Sequence, residues 1–266
     1  MLRNVLLKTL RDQRRALMWW SIGIAAMVLF TVPFYPSLRD QAESLNKYME
    51  KMPEALRAIF IGQVEDITSP EGFLNSQIFV FMAPLLFSIL AVGAGARAIA
   101  GEERAGTLDL LLSTPVPRRR VVVHTFAAMV VAVFVVGLVL WGSLAVSGAI
   151  WDVGVPASRT AAAVGTVVLL GLVFGSLALA IGSATGSRGS AIGVAAAVGI
   201  AAYLVNSLAP VVDLFDDLKV VSPFNYYGLP LARGFDVADA VVLVSASLVL
   251  LAAAVVGFEG RDLAVR

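Results

Sequence analysis

Long apolar runs alternate with short charged or Pro- and Gly-bearing breaks along almost the whole chain. Six runs reach the roughly 20 residues that a helix needs to cross a hydrocarbon layer of about 30 Å. They cover 16–33, 76–99, 121–150, 160–183, 190–212 and 237–258. None shows the period-2 alternation of barrel strands, and an open sheet cannot satisfy its backbone groups in lipid. The pattern therefore predicts an all-α membrane protein with six transmembrane helices, forming one domain over 1–266. Composition agrees: 59% of residues are hydrophobic and 15% charged, and the mean hydropathy of +0.86 is far above that of a soluble domain.

The segments between the runs carry their own periodicity. In 1–15, Leu2, Val5, Leu6 and Leu10 share one side of a helical wheel and Lys8, Arg11 and Arg15 the other. This predicts an amphipathic interfacial helix leading into the first span. A cleaved signal peptide does not fit, because no small-residue cleavage site follows and more spans do. In 35–72, Leu38, Leu45, Met49, Met52, Leu56 and Ile59 recur at helical spacing, with Pro53 placed to start a second helix. We read this as an external helical loop that caps the bundle. The 213–236 segment contains "SPFNYYGLPLARG", in which Pro223 and Pro230 forbid one continuous helix and Phe224, Tyr226 and Tyr227 suit an aromatic belt. Two short pieces dipping into the outer leaflet are expected, with Asp213, Asp216 and Asp217 as a solvated charge cluster rather than a cation site.

Charge sets the orientation. An even number of spans puts both termini on one side, and that side holds 13 of the 20 Lys and Arg residues but only 6 of the 19 Asp and Glu. The positive-inside rule makes both termini cytoplasmic, together with the 101–120 and 184–189 loops. The spans are uncharged between their ends: Arg97 lies close to the inner end of the second, and the single histidine, His124, stands by the same interface. Nothing in them offers a proton relay or an ion site. No metal-ligand cluster or nucleophile–base pair is visible, and the absence of cysteine removes thiolate chemistry. Gly93 and Gly95, Gly171 and Gly175, and Gly182 and Gly186 supply faces for close helix approach, which by themselves assign no dimer interface. Phe79, Phe81 and Phe87 are expected to face lipid or pack in the core rather than to line a pathway.

A chain that moves something needs a source of energy, and this one carries no phosphate-binding loop. "GSATGSRGS" lacks the lysine and the spacing, and "GAGARA" imitates a dinucleotide fingerprint inside a membrane helix. One of the few strongly charged stretches is "GEERAGTLDLLLSTPVPRRR" at 101–120. There Thr107 can cap a helix, Asp109 sits favourably at the positive end of its dipole, and Pro115 and Pro117 stop it after about two turns. Leu108, Leu111 and Leu112 form an apolar knob on a helix too short to cross a membrane. Such a helix suits the transmission of movement from a soluble partner into the two spans it joins.

The run "GEERAGTLDLLLSTPVPRRRVVV" resembles the coupling helix of permease subunits of ATP-binding-cassette exporters of the type-2 family, and "SPFNYYGLPLARG" and the terminal "FEGRDL" are similar to that family as well. Arg104 and Ala105 stand where the family often has an acidic residue, and His124-Thr125 replaces a frequent Gly-Lys. The resemblance implies a permease that is not itself an enzyme. It would pair with a second permease chain, the same or a relative, and with two ATPase subunits that bind ATP and Mg; no cofactor or metal is implied in this chain. By position, Glu102, Glu103, Gly106, Thr107, Leu108, Leu111, Leu112 and Pro115 would contact the ATPase, with a weaker second contact at Ser187, Arg188 and Gly189. Substrate would move outward between the permeases, and the uncharged interior favours an amphipathic or lipid-like one. A composition rich in Ala and Val, with Arg far ahead of Lys, suggests a GC-rich prokaryotic genome and hence the inner or plasma membrane. Two alternatives stand beside this reading: a non-transporting scaffold that passes ATPase-driven force to an external partner, and an ATP-independent secondary carrier.

Overall fold

The structure, a computed structural model, describes residues 5–41, 44, 51–53, 56, 64, 66–100 and 117–261. Six helices are long and apolar enough to cross a membrane. The first two of these stretches run over Leu6–Asp40 and Pro70–Ala98, and we label the main helix of each of the six α1 (Val5–Thr31), α2 (Met82–Ala98), α3 (Arg118–Ile150), α4 (Ala157–Thr185), α5 (Arg188–Leu208) and α6 (Val237–Glu259). No strand occurs among the described residues. At 1.5 Å per residue, α3 is about 50 Å long, so it tilts in or projects beyond an average bilayer.

The order of burial follows the small residues. α4 is the central helix, packed against α2, α3, α5 and α6. Its residues are buried almost all the way round, the pattern of a helix apolar on every face. Its glycines make that position possible. A Cβ on Gly95 of α2 would lie 2.2 Å from the Gly175 carbonyl oxygen of α4, and one on Gly171 would lie 3.1 Å from the Phe87 carbonyl oxygen. Apart from Gly93, the glycines of the small-residue pairs legible in the sequence are thus spent on contacts within the chain. Polar side chains inside α4 bond to their own helix: Ser176 Oγ donates to the Leu172 carbonyl at 2.6 Å and Thr166 Oγ1 to that of Ala162 at 3.0 Å. α1 and α5 lie outside this centre. α1 packs on α3 through Ile24 and Val28, with Val32 and Tyr35 just beyond its end continuing the stripe. α5 buries only Ala191 and Ala195 and leaves Ile192, Val194, Val198, Ile200 and Leu204 exposed.

Three expectations are corrected. The interfacial helix expected over 1–15 and the span expected from residue 16 are one uninterrupted helix from Val5 to Thr31, because no Gly or Pro separates the amphipathic stretch from the apolar one. The second span begins earlier than its hydropathy suggested. Ser69 caps a short helix at Pro70–Leu74, followed by a π-helical turn at Asn75–Phe79 that leads into α2. Asn75 and Ser76 are buried there, in a stretch whose polar residues hide a buried element from a hydropathy pattern. Third, Tyr227 and Phe224 are not belt residues facing the headgroups. Both are buried, and the Tyr227 hydroxyl donates at 2.6 Å to the Phe79 carbonyl. Burial in this setting holds the phenol well above its ordinary pKa. Of the two placements expected for the phenylalanines of the second span, Phe79 and Phe87 take the core one.

The segment after α5 is broken into short helices at Asp213–Leu218, Pro223–Tyr227 and Pro230–Arg233, with a 3-10 turn at Lys219–Val221. Ser222 ties it back to α5 by donating to the Ala202 carbonyl at 2.9 Å while accepting from the Phe224 amide. Of the loop expected to be external, most of 42–65 lies outside the described residues. Leu38 packs against the core, and Leu56 is exposed.

Candidate functional site at the basic end of the bundle

The expected coupling segment, with Glu102, Glu103, Gly106, Thr107, Leu108, Leu111, Leu112 and Pro115, lies outside the described residues. Its two anchors are described. The chain leaves the bundle at Ile99 and Ala100 and returns at Pro117, whose extended backbone (ψ 140°) starts α3 at Arg118. Ile99, Val121 and Val122 are all buried in one apolar cluster with Leu179 of α4 and Ala254 and Phe258 of α6. The helices on either side of the segment therefore meet in one packed cluster, contributed by the end of α2 and by α3, α4 and α6.

Arg118 extends this unit past the end of α6 to Arg261. Its guanidinium Nη1 donates to the Arg261 carbonyl at 2.9 Å and approaches those of Phe258 and Glu259 at 3.5 Å each, with the Phe258 ring 5.9 Å from the charge. The last carbonyls of a helix have no intrahelical donor and carry partial negative charge, so an arginine from a neighbouring helix is a favourable cap. We expect Arg118→Ala to weaken this end of α6 by about 1 kcal/mol. Amide hydrogen exchange in the last turn of α6 should then rise roughly fivefold, while exchange in α4 stays unchanged.

The second expected contact, Ser187, Arg188 and Gly189, falls in the tight turn between α4 and α5. Gly186 closes α4 in the left-handed conformation (φ 64°), donating its amide to the Gly182 carbonyl at 2.9 Å. Ser187 then caps α5, its hydroxyl accepting from the Ser190 amide at 3.2 Å. The Arg261 guanidinium lies directly against Gly186, so close that any Cβ there would collide with it. Arg118 and Arg261 thus connect the return point of the 101–116 segment, through the end of α6, to the α4–α5 turn. The sequence offered no signal for this: Arg118 and Arg261 stand 143 residues apart and read there only as positive flanking charges.

His124 is half-buried on α3, and its Nδ1 has no hydrogen-bond partner among the described residues. Among the described residues, no three His, Cys, Asp or Glu side chains converge as metal ligands, and Asp216 pairs with Lys219. At the opposite, acidic end a cavity of about 290 Å³ opens between α5 and the broken segment. Tyr203, Asn206, Ser207, Phe224, Asn225 and Arg233 are among its walls. Two of its walls, Tyr203 and Phe224, belong to a run of ring contacts that continues behind them to Phe81 and Phe174, with centroids 5.3 to 5.9 Å apart.

A family model described as "ABC-2 family transporter protein" matches residues 3–263. No curated protein matches the chain.

Proposed function

Given that the chain belongs to the ABC-2 transporter family, we propose that it is the transmembrane subunit of an ATP-driven exporter, worked by separate ATPase subunits that press on the 101–116 segment. The coarse part of this follows from membership and fold: the chain is a multi-pass membrane transport component. The finer part is our reading. Two permease chains enclose the substrate path, two ATPases bind ATP and Mg, and both termini face the cytoplasm of a prokaryotic cell. The contacts on the ATPase are Glu102, Glu103, Gly106, Thr107, Leu108, Leu111, Leu112 and Pro115, assisted by Ser187, Arg188 and Gly189.

The observation that carries this reading is the linkage at the basic end. A passive loop needs no frame, yet 101–116 follows the buried Ile99 and Ala100, the helix it returns to is buried from Val121 onward, and Arg118 and Arg261 join its return point to the α4–α5 turn. In this reading the helix ends that flank the 101–116 segment move as one unit with the α4–α5 turn, so that one partner movement is passed to several spans together. The substrate class we favour is amphipathic, supported by the uncharged interior and by the cavity at the acidic end, whose walls are part aromatic and part amide and hydroxyl.

The test is purification of the tagged chain from its native membrane in mild detergent, with mass identification of co-purifying chains and an ATPase assay. Stoichiometric recovery of a nucleotide-binding subunit with measurable hydrolysis is the expected result. A chain recovered alone, under conditions that preserve a known transporter complex, would overturn it and favour a secondary carrier.

A further inference from the structure

The basic end also gathers hydrogen-bond donors that have no acceptor. A Cβ built on Gly182 of α4 would lie 3.6 Å from that of Ala191 and 3.8 Å from that of Ala100. Ala191 is one turn beyond Arg188 and Ala100 one turn beyond Arg97, so the turns bearing these two arginines meet across the end of α4, and the charge of Arg188 acts on Arg97. Arg97 does not reach outward. Its Nη2 lies back over Gly93, 4.0 Å from where a Cβ would stand, on the side of the helix turn that faces the membrane interior. Arg97 Nε, Arg188 Nε and the hydroxyl of Ser183, the neighbour of Gly182, are all buried without a hydrogen-bond partner among the described residues. No carboxylate among them pairs with either arginine.

Two like charges held together at the edge of a low-dielectric layer, with donors unsatisfied, are costly unless an anion neutralises them. The missing partner has to be negative and to offer several acceptor oxygens within a small radius. A phosphate group meets both requirements, and the planar guanidinium fork matches its oxygens. Basic pockets between membrane helices hold phosphate headgroups by the same chemistry. Arg261, laid on Gly186 two residues before Arg188, adds a third guanidinium beside the pair. We propose that the converging ends of α2, α4 and α5 form a phosphate-binding site, built by Arg97, Arg188 and Ser183. It is occupied by the phosphodiester of an anionic phospholipid or by free phosphate. The inward lie of Arg97 favours the lipid as the source.

The experiment uses the full chain, delipidated and reconstituted into phosphatidylcholine nanodiscs with or without phosphatidylglycerol, with retained lipid counted by native mass spectrometry after release. Wild-type protein should retain phosphatidylglycerol in preference to phosphatidylcholine. Arg97→Gln and Arg188→Gln should each reduce that preference about tenfold, the effect of losing one charge-assisted contact of 1.4 kcal/mol. Arg188→Gln, at the first turn of α5, keeps the question answerable if Arg97→Gln fails to fold. In a second arm, inorganic phosphate is added to discs of phosphatidylcholine alone and thermal stability is read. A rise matching that produced by phosphatidylglycerol supports the site and assigns it to free phosphate; a rise with the lipid only supports it and assigns it to the lipid. Equal retention of both lipids by the wild type and the variants, with no stabilisation by phosphate, overturns the proposal.

Discussion

Gly95→Ala should loosen the α2–α4 crossing and cost the bundle about 2 to 3 kcal/mol, although it adds only one methyl group. Two effects oppose each other. Alanine is favoured over glycine inside a helix by up to about 1 kcal/mol, which alone would make the change stabilising. Against this, the new Cβ would stand 2.2 Å from the Gly175 carbonyl oxygen and 3.1 Å from both the Gly175 carbonyl carbon and the Leu179 amide nitrogen. These are backbone atoms of a buried helix, and they cannot turn aside as the tip of a side chain can. The helices have to separate by a large fraction of an ångström, and packing is the main force that associates helices in lipid. Gly142→Ala in α3 is the matched control, since nothing lies within 4 Å of the added atom. It should leave stability unchanged or raise it slightly through propensity. The check is thermal unfolding of both variants in nanodiscs beside the wild type. Coincident curves for Gly95→Ala and wild type would mean that α2 and α4 do not cross at these glycines.

The same pair of glycines marks what was legible in the sequence. Six spans could be read because a run of about 20 apolar residues has few alternatives, and the observed helices overlap all six. Their ends were less legible where polarity and burial part company. The expected second span began at residue 76, yet Phe73 and Leu74 are already buried in the core; Asn75 and Gln77 interrupt the apolar run without interrupting the packed element. The fifth was expected to continue to 212 but stops at Leu208, in keeping with the backbone limits that Pro210 imposes. Which glycines pack was not legible, since Gly95 and Gly142 look alike in sequence and differ only in what faces them. Tyr227 shows the same limit. An aromatic beside a proline near a membrane boundary reads as a belt residue, and only the fold reveals that its hydroxyl satisfies a carbonyl 148 residues away. At the basic end the loop positions followed from charge and span order. The Arg118 and Arg261 linkage did not, because hydropathy and charge counts carry no information about tertiary pairing.

Leu111→Asp should leave the chain inserted and folded but break its communication with the ATPase, and it puts the proposed mechanism at greatest risk. In the 107–113 stretch "TLDLLLS", Leu108, Leu111 and Leu112 fall on one side of a helix, and Asp109 can point away from it. If that side is buried in a partner, a carboxylate placed there loses its water without gaining a counter-charge. The loss is about 2 kcal/mol or more for a central contact residue, roughly a thirtyfold weakening of association. Leu111→Met, of similar volume and polarity, should retain the partner and so separates a contact effect from a general intolerance of change. Three readings are taken on each variant: the amount of chain in the membrane, the yield of co-purified ATPase, and the stimulation of hydrolysis and transport in proteoliposomes. The first should be constant, while the second and third fall together for the aspartate alone. Because the flanks of the segment are buried with α3, α4 and α6, the thermal stability of the bundle gives an internal check that this frame is intact. An aspartate variant that still recovers its partner and transports at the wild-type rate would remove 101–116 from the mechanism. Leu108, Leu111 and Leu112 would then be left as an anchor on the membrane surface, and any coupling would have to pass through the Gly186–Ser187 turn.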